Sequence, residues 1–212
     1  MIAASALDWV AAIGSCVAAL GAIVAALLGL RRVRREKAMK PEPAMTFAGD
    51  PSSTEWAPVF RHGHRSLWLR FTVGNPPGKS TAREVQVLVT HVEAPPERKD
   101  LVPGGPLLWT DVRIPTVDLP AGISRMVDVA TVYMPDGATV TKLHLQTTLA
   151  KGDERNELKR GDYKLELAVT AQDVDAVFYN TTISFENTWE EDPWDLRPHL
   201  QVSPLEKERL RR

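Results

Sequence analysis

Residues 162–171 read DYKLELAVTA, and the reading of this stretch decides the fold. Tyr163, Leu165, Leu167, Val169 and Ala171 occupy every second position, with Lys164, Glu166, Ala168 and Thr170 between them. Successive side chains of a strand point to opposite faces, so a period of two marks a strand with one buried face; a helix would need apolar residues three and four apart. Working outward, SLWLRFTV (66–73) sets Leu67, Leu69, Phe71 and Val73 against Ser66, Trp68, Arg70 and Thr72. EVQVLVTHV (84–92) aligns Val85, Val87 and Val89, and TKLHLQTTL (141–149) aligns Leu143, Leu145 and Leu149. With AMTFA, EWAPVF, LLWTDVRI, RMVDVATVY and VFYNTTISFEN the chain holds about nine strands, separated by segments carrying Pro, Gly or Asp.

Many short strands without intervening helical periods predict a mainly β chain, folded as two antiparallel sheets packed face to face. A small closed barrel is the alternative. The uneven connections, tight after Val73 but long around residues 94–106 and 150–161, favour the sandwich. The roughly 160 residues from Pro41 to Gln201 suit one such domain. KGDERNELKR (151–160) reads as a solvated loop.

The N-terminus is of another kind. After Asp8, twenty-two residues from Trp9 to Leu30 carry no charge, and RRVRREKAMK (31–40) then brings six cations and one anion. A helix over Val10–Leu30 would be about 31 Å long, against the roughly 30 Å of a bilayer's hydrocarbon core. A cleaved signal peptide would carry its cations before a shorter apolar run. Cations at the end of a span mark the cytoplasmic side, which predicts a cell-membrane protein with a cytoplasmic C-terminal domain. The opposite insertion would put the domain in the envelope. Arg31, Arg32, Arg34, Arg35, Lys37 and Lys40 are the candidates for membrane-surface contact, at roughly 1 kcal/mol each on anionic lipid. Gly14, Ala18, Gly21, Ala25 and Gly29 recur at helical spacing and would let a second helix approach closely, so a homodimer through the span is a candidate assembly. Ala and Gly are also common in membrane helices for no such reason.

These features divide the chain into a span (1–30), a basic stalk (31–43), a sandwich (44–201) and a charged tail (202–212). LEKERLRR, at the end of that tail, reads as a short helix or frayed terminus. Residues 41–212 hold 20 cations against 25 anions, so the domain lacks the basic footprint that nucleic acid requires. Cys16, the only cysteine, lies in the apolar run, and the domain can form no internal disulfide. The sequon Asn180-Thr181-Thr182 would matter only in a glycosylating pathway.

Chemistry-bearing motifs are sparse. His62 and His64 flank Gly63 and would share one face of a strand, but zinc generally wants three or four ligands and none adjoins them. Asp173 and Asp175 could serve a calcium loop, yet its glycine and terminal carboxylate are missing, which leaves a strand-connecting turn. The sequence contains no phosphate-cradling G-x-x-x-x-G-K or G-x-G-x-x-G and no G-x-S-x-G elbow. No catalytic residue, metal or cofactor is therefore expected. A hydrolase on this scaffold would need His62, His64, His91 or His144 to converge with carboxylates in one pocket. In FENTWEEDPWDLRPHL (185–200), Trp189 and Trp194 bracket Glu190, Glu191 and Asp192. Aromatics beside charge make interface hot spots, so these five residues are a candidate partner surface; the alternative is that both rings cap one end of the sandwich.

LRFTVGNPPGKSTAREVQVLV (69–89) resembles the strand, turn, strand signature of bacterial immunoglobulin-like modules of the adhesion-related and NEW3 type. Val73, Asn75, Gly78, Ala82, Val85 and Val87 carry the likeness, and Pro76-Pro77 stands where many such modules have Gly or Thr. The whole layout is similar to uncharacterised actinobacterial single-pass membrane proteins whose sandwich ends in a Tyr strand and a Phe and Trp strand, here Gly161, Tyr163, Tyr179, Phe185 and Trp189. The resemblance implies an immunoglobulin-like sandwich and brings no catalytic residues. The expected function is a membrane-tethered, non-catalytic binding or scaffold module for a protein partner. The alternatives are an envelope-facing structural or adhesive module and a hydrolase.

Overall fold

The structure is a computed structural model that describes residues 25–48, 56–61, 64–95, 104–134, 141–148, 157–188, 190 and 199–208, with backbone alone for 56–61 and 64–65. The chain forms two units, Met1–Lys40 and Pro41–Arg212. In the first, residues 25–39 are helical, so the last turns of the uncharged run and the basic stretch share one helix. Arg32 Nε and Glu36 Oε1, one turn apart, pair at 2.9 Å. The expected span over residues 9–30 lies largely outside the described residues; among the described residues no helix is long and apolar enough to cross a membrane.

The second unit is mainly β. Its first sheet holds β1 (Ala44–Thr46), β2 (Trp56–Arg61), β3 (His64–Gly74), β6 (Leu108–Trp109), β8 (Ser124–Tyr133), β9 (Lys142–Leu145) and β10 (Glu157–Leu158). β1 and β2 line one edge of β3, β8 its other edge, and β6 and β9 share the far side of β8. The second sheet holds β4 (Ala82–Glu93), β5 (Gly105–Pro106), β7 (Val117–Leu119), β11 (Gly161–Ala171), β12 (Val174–Phe185), β13 (Leu200–Val202) and β14 (Glu206–Lys207). β11 lies between β4 and β12, with β5 and β7 outside β4 and β13 and β14 outside β12. All pairings are antiparallel.

The alternating positions meet in one core. Leu67, Leu69, Phe71 and Val73 of β3, Val85, Val87 and Val89 of β4, Leu143 and Leu145 of β9, and Tyr163, Leu165, Leu167 and Val169 of β11 are all buried together with Trp109, Ile183 and Phe185. Each such side chain contributes roughly 1.5–3 kcal/mol on burial. Tyr179 ties the sheets by a polar contact: its hydroxyl oxygen, on β12, accepts the Met45 N–H of β1 at 3.0 Å. Burial pushes the Tyr179 phenol above its ordinary value, against the lowering effect of that hydrogen bond.

Among the register shifts of the two sheets, two bulges reset the alternation in the long pairs β4–β11 and β3–β8. Glu166 pairs with His91 and Leu167 with Val89, which leaves Thr90 as an extra residue of β4. Val89 and Val92 therefore both reach the core while His91 turns outward. On β8 the partners of Leu69 and Arg70 are Ala130 and Asp128, with Val129 the extra residue.

Several elements differ from the sequence reading. LLWTDVRI is a strand only at Leu108–Trp109; residues 110–112 form a turn closed by Arg113 N–H on Trp109 O at 2.8 Å. β9 stops at Leu145, short of Leu149, and Thr147 makes an isolated bridge to Leu107. Within the expected solvated loop, Glu157–Leu158 pairs with β9, because Leu158 has a place in the core. The stalk ends before residue 43, since Glu42 N–H already donates to Asn75 Oδ1 at 3.2 Å. At the other boundary β13 runs to Val202, and Glu206–Lys207 is a strand rather than a helix. A lone helix of that length lacks cooperative support, whereas the strand gains Glu208 N–H to Phe178 O at 2.9 Å.

Candidate functional site

Two outer faces carry the polar side chains of the sandwich, and they differ in character. On the second sheet, cross-strand pairing sets His91, Glu166, Asn180 and Glu206 in one row and Glu93, Lys164 and Thr182 in the next. These residues line an open groove of about 450 Å³. The bulge at Thr90 delivers His91 to it, and the Thr90 hydroxyl donates to both the Glu166 carbonyl, at 3.1 Å, and its carboxylate. Lys164 Nζ bridges the two oxygens of Glu93 at 3.2 and 3.0 Å. Ser203 staples the edge: Thr181 Oγ1 donates to its carbonyl at 2.8 Å, and its own Oγ accepts the Thr182 N–H at 2.8 Å. Three carboxylates, Glu93, Glu166 and Glu206, face one ammonium, so the groove is acidic and rich in hydrogen-bond acceptors. Such a surface is suited to holding cationic or donor groups of a partner.

On the first sheet the outer face is closed. Asp128 is fully buried and accepts from Arg70 Nε at 3.1 Å, Thr110 Oγ1 at 2.8 Å and Arg113. Arg113 also lies over Trp68, 4.7 Å from the ring centroid, and Trp68 Nε1 donates to Ser66 Oγ at 3.0 Å. Thr131, opposite Trp68, is buried with no hydrogen-bond partner for its Oγ1 among the described residues. Across from Thr131, His144 Nε2 lies 3.3 Å from the Tyr133 hydroxyl and 3.7 Å from Glu157 Oε2, which accepts Lys142 Nζ at 2.9 Å. Burial holds the His144 imidazole below its ordinary value, opposed by Glu157 and assisted by Lys142. The same burial raises the Tyr133 phenol, with Lys142 opposing and Glu157 adding to it.

The expected site residues fall as follows. Arg31, Arg32, Arg34, Arg35, Lys37 and Lys40 are all exposed. Ala25 and Gly29 lie on the helix, while Gly14, Ala18 and Gly21 lie outside the described residues. Of the tail group only Glu190 is described, with an oxygen 3.9 Å from His199 Nε2; Trp189, Glu191, Asp192 and Trp194 lie outside. His199 Nδ1 is 2.8 Å from Glu186 Oε2. His62 lies outside the described residues, and His64 opens β3. His91 and His144 stand on different sheets and are not brought together. Asp173, at φ 60°, forms the two-residue β11–β12 turn with Gln172, and Asp175 is exposed on β12. Among the described residues no three of His, Cys, Asp and Glu come together to hold a metal ion.

The groove itself escaped the sequence reading, although one signal pointed to it. In VQVLVTHV the valines step by two to Val89 and then by three to Val92, and that break in phase is the bulge that aims His91 outward. The chain matches no protein-family model, no curated protein and no solved structure.

Proposed function

We propose that this chain is a single-pass, membrane-tethered, non-catalytic binding or scaffold module that presents an immunoglobulin-like sandwich on the cytoplasmic side to a protein partner. The observation that carries the tether is the border at residue 30. Leu27, Leu28 and Leu30 are 55, 58 and 57% exposed, and the helix runs on from them through the five cations Arg31, Arg32, Arg34, Arg35 and Lys37, with Lys40 just past its end. Lipid tails around the leucines and anionic headgroups around the cations would satisfy both halves. The partner face is the acidic groove of the second sheet, whose Glu206 and Glu93 carboxylates stand exposed to solvent where the first sheet buries Asp128.

Two measurements test this. After alkaline washing the protein should stay with membranes, and a C-terminal reporter active only in the cytoplasm should be on. Release into the soluble fraction would remove the tether, and a reporter active only outside would favour the envelope-facing reading. For the face, a photo-crosslinking side chain at Asn180 should form adducts with another protein in intact membranes, while one at Thr72, on the first sheet, should not. Adducts at Thr72 alone would exchange the two faces.

A further inference from the structure

We infer that the end of the sandwich where the chain enters from residue 40 is itself a lipid-contact surface, formed by the loops around Val112 and Ile123; this rests on the tether proposed above. Asn75 defines that end. It is almost fully buried, its Nδ2 donates to Ser80 O at 2.8 Å and Leu119 O at 3.0 Å, and its Oδ1 accepts the Glu42 N–H at 3.2 Å. Its backbone N–H donates to Ile123 O at 3.1 Å and its carbonyl accepts the Gly122 N–H at 2.7 Å. One side chain thus clamps the incoming chain, the β3–β4 turn and the loop after β7 together. Gly122, at φ +74°, takes a left-handed conformation that ordinary residues resist, and the turn it makes leaves Ile123 at the tip.

Apolar exposure gathers here. In the second unit, the large apolar side chains left exposed among the described residues are Val112, Ile114, Ile123 and Met134. Ile123 lies on the clamped loop, and Val112 and Ile114 lie on the loop that Asp111 ties to Arg125, the second residue of β8, at 2.9 Å. Only Met134 belongs to the opposite end, just past the last residue of β8. Two carboxylates at the entry end are paired, Glu42 with Lys79 Nζ at 3.1 Å and Asp111 with Arg125, while Glu84, Asp118 and Asp173 of the second sheet also stand exposed at this end. Lys40 and Glu42 are two residues apart, at most about 7 Å of chain. A basic stretch seated in the headgroups therefore keeps this end within reach of the interface, where exposed aliphatic tips leave water.

The test uses the full chain with Cys16→Ser, reconstituted in phosphatidylcholine and phosphatidylglycerol vesicles. An environment-sensitive fluorophore is attached at Ile123→Cys, at Val112→Cys, or at Arg160→Cys at the far end, about 35 Å away along strands of roughly 3.3 Å per residue. Quenching by nitroxide-labelled lipid should be severalfold stronger at the first two sites than at the third. Vesicles that float with the protein but quench all three sites equally, or none, overturn the loop contact and leave the tether standing. A blue shift at Ile123 without lipid quenching also overturns it, in favour of a second copy covering the loops. Protein that fails to float with vesicles overturns the tether and this contact with it.

Discussion

Asp128, Thr131, Ser66 and Trp68 lie on the outer face of the first sheet and are as buried as core residues, whereas His91, Lys164, Glu166 and Asn180 on the outer face of the second sheet line an open groove. Strand alternation treats these positions alike, as the polar side of a half-buried strand. What separates them is a loop: the turn after β6 brings Thr110 and Arg113 over β8, and Asp128 collects both together with Arg70. A buried carboxylate surrounded by donors holds its own sheet, and one left at the surface remains available to something else. The two faces should therefore respond differently to substitution.

The largest difference is expected at Asp128. Asp128→Ala leaves the Arg70 guanidinium, whose side chain is only 15% exposed, without its carboxylate, while Arg113 can turn to solvent. Removing one member of a buried pair costs about 3–5 kcal/mol, and the escape of Arg113 puts the expected loss near the lower figure. Thermal and urea unfolding of the full chain in detergent would measure it. A loss under about 1 kcal/mol would show that the closed face does not hold the sheet.

This network also shows where reading the sequence stops. Strands β3, β4, β11 and β12 were legible because each buries one face along most of its length, and no partner need be known to see that. RMVDVATVY read as a strand and gave no sign that Asp128 is buried; that burial depends on Arg70, 58 positions away, and on a turn that the run LLWTDVRI disguised as a strand. Strands β5, β10 and β14 have two residues each, too few for a period, and exist because a neighbouring strand offers an edge. Leu158 shows the difficulty: a single apolar residue among charges, it gave no sign that a core position awaited it. Of the groove, the outward phase of Lys164 and Glu166 was readable on β11, but Glu206 joins it through the pairing of a tail that read as helix or frayed end.

Thr131 offers the next test. Its hydroxyl is buried without a partner among the described residues, so Thr131→Val, which keeps the β-branch and the volume, should raise stability by roughly 1 kcal/mol. A fall in melting temperature would mean that the hydroxyl bonds to something on that face. A smaller effect follows from His144. Its pKa is held below the ordinary 6.5 by burial, so the folded protein binds a proton less readily than the unfolded chain. The stability this contributes is complete above pH 6.5 and is lost as the pH falls from there through the lowered folded value. His144→Gln should flatten the slope of stability against pH in that window, and an unchanged slope would assign it to other groups.

The smallest effect is expected in the groove, and its smallness is informative. Lys164 and Glu93 pair with side chains 67 and 61% exposed. Such pairs contribute about 0–1 kcal/mol and weaken with salt. A double-mutant cycle with Lys164→Ala and Glu93→Ala should give a coupling of no more than about 0.5 kcal/mol, declining further at high ionic strength. A coupling several times larger that persists in salt would make this face as structural as the other and erase the contrast. If it stays small, the fold places little demand on what stands at these two positions, and the charges in the groove are free to be set by whatever the sheet holds against them.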